Sequence, residues 1–172
     1  MSMSEKILLA IDPGDVQSAF CFMDIDTYRP LYFAKEDNKE AMAHMAEYVE
    51  KHKVNNIACE MIQSYGSNVG RSVFFTCVMI GRLTEYFESR GCKVDYVYRK
   101  DEKINLCGTM QSTDASVRQA MIDRFAKFDF KNGKGTKKNP DWFFGFKADT
   151  WAAAAVGITW IDAQKGLYTL SS

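Results

Sequence analysis

Residues 7–20 read ILLAIDPGDVQSAF. Five apolar residues run into an acid, a proline and a glycine, and an apolar stretch resumes after Ser18. Lys6 to Asp12 has the length and composition of a buried strand. Pro13 stops the ladder because it has no N–H to donate. Gly14 lets the backbone turn tightly and leaves room for a phosphate to approach. Strand alternation sets Leu8, Ala10 and Asp12 on one face, so a carboxylate shares a face with core residues. Two explanations of Asp12 stand open at this point: it caps the turn, as Asp often does, or it acts at the strand's end.

Outward from this stretch, Ser18–Ile25 (SAFCFMDI) and Pro30–Ala34 predict two more strands, the first three forming an antiparallel meander. Asn38–His52 predicts a helix with Ala41, Met42, Met45, Tyr48 and Val49 on one stripe. Asn56–Ile62 (NIACEMI) predicts a fourth strand, Arg71–Arg90 a long helix ended by Gly91, and Lys93–Tyr98 a fifth strand. Thr113 or Asp114 caps a helix running to about Phe125, and Lys127–Asn139 (KFDFKNGKGTKKN) predicts a mobile basic loop. Ala148 to about Ala163 predicts a last helix, rich in alanine at its start. Three strands followed by alternating helix and strand define an α/β fold with a mixed five-stranded sheet flanked by helices. The 172 residues suit a single domain, without repeats or low-complexity linkers.

Hydrophobic residues make up 47% of the chain and charged residues 26%, an ordinary globular balance. Apolar runs are broken by charge well short of the ~20 residues a membrane span needs. The polar opening and the short run after it do not resemble a secretory signal. The five cysteines are odd in number, widely spaced and without a CxxC pair, which argues against disulfides or zinc and for reduced thiols in a cytoplasmic setting. The 22 basic and 22 acidic residues cancel, yet Lys93–Lys138 holds 11 Lys/Arg against 6 Asp/Glu. A molecule polarised in this way can bind phosphate backbones despite zero net charge.

Two further acids are oddly placed. Glu60 sits inside an apolar strand between Cys59 and Met61, where an unpaired carboxylate would be costly. Either a basic residue pairs with it or a metal holds it. Asp149 opens the last helix, where the dipole favours an acid, but Ala152–Ala155 follow it and let that helix lie close to the sheet. Close packing would carry Asp149 to the ends of the strands bearing Asp12 and Glu60. Three converging acids need cations between them, and magnesium, which prefers hard oxygen ligands, suits the role. His44 and His52 fall in a charged helix and read as surface residues.

ILLAIDPGDVQSAF resembles the first motif of the RuvC-type Holliday-junction resolvases, NIACEMI the second with its strand glutamate, and KADTWAAAAVGITW the last. The segment EKINLCGTMQSTDASVRQAMIDRF is similar to the part between them, and KxDxW looks most like the phage and prophage variants. The resemblance covers nearly the whole chain. It implies an RNase H-like fold, a homodimer, Mg²⁺ (or Mn²⁺), and nicking of four-way or branched DNA that leaves 5′-phosphates. It carries Asp12, Glu60 and Asp149 over as catalytic metal ligands. Many relatives have a fourth acid or a histidine just before the last aspartate, where this chain has Phe146 and Lys147; Asp15 or Asp114 could compensate.

The resemblance places phosphate-contacting basic residues after the fifth strand, where Lys103 matches best and Lys100 could equally belong to a solvated run with Asp101 and Glu102. Arg118, Lys137 and Lys138 complete the expected DNA contacts, with Lys131 and Lys134 in the same loop, whereas Arg124 reads as plain surface. Tyr65, Phe74 and Phe75 are candidates to stack on bases; Trp151 and Trp160 belong to packing. The helix from Arg71 carries apolar residues around most of its circumference, which predicts a dimer contact on the face that the sheet leaves bare. A non-catalytic nucleic-acid-binding module is the competing function. An actin-like or sugar-kinase ATPase would need two such domains, more than 172 residues allow.

Overall fold

The computed structural model describes residues 6–172; the polar opening at 1–5 lies outside them. Five strands, β1 (Ile7–Asp12), β2 (Gln17–Asp24), β3 (Pro30–Asp37), β4 (Asn56–Met61) and β5 (Lys93–Tyr98), form one sheet in the order β3-β2-β1-β4-β5. The β1–β2 and β2–β3 pairs are antiparallel, and β1–β4 and β4–β5 are parallel. The helices are α1 (Asn38–His52), α2 (Arg71–Glu88), α3 (Arg99–Cys107), α4 (Asp114–Phe125) and α5 (Thr150–Gln164).

The period-two pattern of β1 divides the core. Leu8 and Ala10 face a cluster with Ala58, Val97, Val117, Met121 and the alanines of α5. Leu9 and Ile11 face the opposite cluster, with Met45, Ile57, Ile80, Leu83 and Phe87 from β4, α1 and α2. Helix α5 is buried almost all round, as a helix without a polar face must be. It lies hard against the sheet at Gly157, where a Cβ would collide with the Met23 sulfur and come within 3.0 Å of the Ala10 Cβ. At its far end the buried Asp162 accepts from Tyr28 Oη at 2.7 Å, Asn105 Nδ2 at 2.8 Å and two Arg124 nitrogens at 2.7 and 2.8 Å. Arg124 is therefore a structural tie rather than plain surface.

Three differences from the sequence reading bear on the site. Strand β3 runs three residues past Ala34, which brings Lys35 into the sheet opposite Ala19. The run after β5 is not a solvated charge cluster: it is α3, and Asp101 and Glu102 in its first turn are fully buried. The basic loop, expected to be mobile, carries a set of backbone hydrogen bonds to two carboxylates. Buried Asp141 accepts backbone N–H groups from Lys127, Phe128, Asp129 and Trp142 at 2.7–2.9 Å. Asp129 accepts three more, from Asn132, Lys134 and Gly135.

All five cysteines are free, with Cys21, Cys59 and Cys92 buried and Cys77 exposed. Trp151 and Trp160 are buried, as expected. Among the described residues no helix is long and apolar enough to cross a membrane.

Candidate active site

Strands β1 and β4 run parallel, and Asp12 and Glu60 each lie one residue beyond the paired Ile11 and Cys59. The two carboxyls act on each other's ionisation. Asp149 occupies the position before the first turn of α5, yet makes no capping hydrogen bond. Its carboxylate is taken by Lys35 instead, with Nζ and Oδ2 2.6 Å apart. The helix dipole alone thus does not account for Asp149.

Burial drives the Asp12 carboxyl up to about 8, helped by the charges of Glu60 and Asp149 and opposed by Arg99 and Lys35. Burial raises Glu60 as well, against the pull of Arg99. Burial, with Glu60 next, holds Glu102 well above the ordinary carboxylate range. Asp12 and Glu60 each feel Asp149, and both act on Glu102, while Arg99 and Lys35 are the cations that offset the charge on Asp12.

Arg99 was missed by the sequence reading, which looked to its neighbours Lys100 and Lys103. It bonds Glu102 Oε1 at 3.0 Å and also Asp114. Thr113 caps α4 through the Ser116 N–H at 3.1 Å, which leaves Asp114 available to Arg99. Lys35 was missed because β3 was ended too early, and Glu102 because a run of charge was read as solvated. The signal for Glu102 was its place next to Asp101 in the first turn of a helix that follows directly on a strand.

Lys100 and Lys103 are half-buried on α3, with the Lys100 ammonium 5.8 Å from the Tyr98 ring centroid. Arg118 has its guanidinium 4.4 Å from the Trp151 ring centroid. It lines a cleft of about 240 Å³ together with Arg99, Asp114 and Asp149. A second hollow continues from Ala115 and Arg118 to Lys131 and Lys134 of the basic loop. Lys137 and Lys138 are exposed on the tight turn that the Gly135–Pro140 bridge closes. Tyr65, Phe74 and Phe75 are exposed.

Among the described residues, no three His, Cys, Asp or Glu side chains stand ready as a ligand set, and Asp149 is paired with Lys35. The donor chemistry nonetheless fits a hard divalent cation: every candidate ligand is a carboxylate, and Glu102 Oε2 is buried without a partner. Of the candidate fourth acids, Asp15 is exposed, and its carboxylate accepts from the adjacent Val16 N–H. Phe146 is a core residue, packed on Phe33, Phe143 and Trp151.

The sheet order, the mix of antiparallel and parallel pairs, and the acids at the ends of β1 and β4 and the start of α5 define an RNase H-like fold of the RuvC type. Among solved structures, Thermus thermophilus RuvC matches with a TM-score of 0.69 at 15% identity, covering 96% of this chain and 99% of that one. The same protein in complex with a Holliday-junction substrate matches with 0.68 at 14% identity, covering 97% of this chain and 100% of that one. The yeast mitochondrial Holliday junction resolvase Ydc2 matches with 0.56 at 15% identity, over 95% of this chain and 80% of that one. No protein-family model and no curated protein matches the sequence.

Proposed function

We propose that this chain is a metal-dependent endodeoxyribonuclease that cuts four-way or otherwise branched DNA, acting as a homodimer of single RNase H-like domains in the cytoplasm of a bacterial cell, as a phage-derived protein would. The observation that carries this reading is the meeting of Asp12, Glu60 and Asp149 in one field on a RuvC-type fold. The complex of Thermus thermophilus RuvC with a Holliday junction supports the choice of substrate.

Asp12, Glu60 and Asp149 would hold Mg²⁺ or Mn²⁺. The chemistry such ions supply is activation of a water and stabilisation of the leaving oxygen in phosphodiester hydrolysis. Lys35 and Arg99 offset part of the repulsion among the acids before substrate arrives. Arg118, with Lys131 and Lys134 beyond it, continues the positive lining away from the acids and suits a phosphate backbone. Lys100, Lys103, Lys137 and Lys138 add sequence-independent attraction. The exposed Phe74 and Val78 of α2 support a two-fold contact that would pair two sites for opposed strands.

The test is nicking of a synthetic four-way junction and a matched linear duplex with Mg²⁺ or Mn²⁺. The expected result is junction-selective nicking that chelation stops. Asp12→Asn, Glu60→Gln and Asp149→Asn should each lose more than about 100-fold in rate while keeping junction binding, since loss of a metal ligand exceeds the ~10–100-fold of outer-shell changes. Tight junction binding without nicking by the wild-type protein would establish the non-catalytic module instead.

A further inference from the structure

Glu102 is fully buried in the first turn of α3. Its Oε1 accepts from Arg99 Nη1 at 3.0 Å, and its Oε2 has no hydrogen-bond partner. Helix α3 starts directly where β5 ends, and β5 is paired to the end of β4 that carries Glu60, with Val97 opposite it; Arg99, which holds Glu102, lines one cleft with Asp149. A buried carboxyl oxygen left unmatched costs free energy, and native proteins rarely retain one without a use, an ion or a water. Asp101 beside it also has an unmatched oxygen, but its other oxygen takes Tyr168 Oη at 2.7 Å and Ser171 Oγ at 2.8 Å, so it serves the C-terminal tail. Of the residues where an acid would be expected before Asp149, Phe146 is buried in the core and Lys147 is basic. Asp114 is a surface residue, with its side chain 83% exposed.

We propose that Glu102 is the fourth acid of the metal centre, supplied by α3 instead of the segment before α5, with Oε2 as the oxygen it offers to the cation. Arg99 holds Oε1 and so fixes which oxygen remains free. The site then draws its acids from four places: the ends of β1 and β4, the start of α5 and the first turn of α3. This inference rests on the metal-dependent reading above.

The test is Glu102→Gln, a change that keeps shape and removes charge. Mn²⁺ binding is measured by calorimetry and by the paramagnetic resonance of free Mn²⁺, and thermal unfolding is followed with and without Mn²⁺. The expected result is Mn²⁺ affinity lowered about 10-fold or more and loss of most of the metal's increment in Tm. The metal-free variant should melt at or above wild type, because an unmatched buried acid has become a neutral amide. A lower metal-free Tm with unchanged Mn²⁺ affinity would show that Glu102 only anchors Arg99, and would overturn the proposal. Should Glu102→Gln fail to fold, Glu102→Asp keeps the charge and withdraws the oxygen by one methylene; it should weaken Mn²⁺ binding in the same way, and unchanged binding would overturn the proposal. Asp12→Asn is run alongside. If wild type binds no Mn²⁺, or Asp12→Asn binds it equally well, the metal centre itself falls; otherwise only the role of Glu102 is at stake.

Discussion

Lys35 Nζ lies 2.6 Å from Asp149 Oδ2, a contact that joins the edge strand β3 to the residue opening α5. It places a resident cation on an acid assigned to metal binding. Lys35→Met should therefore raise Mn²⁺ affinity roughly threefold, about 0.6 kcal/mol, the scale of a pair that water still reaches. Titration calorimetry measures this; equal or weaker affinity would mean that the lysine does not compete with the ion.

Asp12 predicts an unusual pH profile. Burial, with Glu60 and Asp149 behind it, holds its folded value at about 8 against an ordinary 3.8. Between these values the folded protein keeps a proton that the unfolded chain has released, so the metal-free protein loses stability as pH rises from about 4 to about 8. A cation needs the ionised form, so Mn²⁺ affinity should rise over the same interval, with proton release on binding. Scanning calorimetry from about pH 5 to about pH 8 should show the metal-free Tm falling and Mn²⁺ cancelling the fall. A flat metal-free profile would show that Asp12 ionises normally.

Asp141 has the opposite sign. Burial alone would push its carboxyl up, but the backbone N–H groups around it outweigh burial and bring it down to about 2. Its contribution is present above the unfolded value of about 4 and is lost as pH falls toward about 2. Asp141→Asn should lower Tm and expose Lys131, Lys134, Lys137 and Lys138 to trypsin, whereas wild type resists at these sites. Equal digestion of both proteins would mean that the carboxylate does not hold the loop.

The same loop makes a prediction about salt. Each lysine that neutralises a duplex phosphate steepens the dependence of log K on log salt by about 0.9. Replacing both Lys137 and Lys138 with alanine should reduce the slope by about 1 to 2, equally for junction and linear DNA. Binding titrations at several salt concentrations decide it, and an unchanged slope would remove these lysines from the DNA surface.

Helix α2 buries Met79, Ile80, Leu83 and Phe87 and leaves Phe74, Phe75 and Val78 in solvent. Val78→Asp should convert a micromolar dimer to monomer in sedimentation, because an unpaired charge at an apolar contact is strongly unfavourable. A wild-type protein that sediments as a monomer, free and with junction DNA, would dispose of the paired-site arrangement.

The sheet was legible because β1 is a short apolar strand stopped by Pro13-Gly14, β4 is short and apolar, and α1 has a clean stripe. Asp12 and Glu60 stood out as acids among apolar strand residues, and Asp149 through the run of alanines that follows it. The remainder of the site was hidden for one physical reason: RKDEK looks solvated in sequence, and only the tertiary packing of α3 puts Asp101 and Glu102 inside and Arg99 among the acids. The loop's hydrogen bonds were hidden for a related reason. Its lysines suggest mobility, but Asp129 and Asp141 gather its backbone N–H groups, a role that composition does not reveal.

The parts of the acid group arrive in the order Asp12, Lys35, Glu60, Arg99, Glu102 and Asp149, and the helix that follows Asp149 covers one face of the sheet. A chain that stopped short of Asp149 would have neither the last of these acids nor a sealed core. Such a fragment would be unstable and chemically incomplete together. On the proposed reading, the last ligand and the cover of one sheet face would therefore come from the same late stretch of chain.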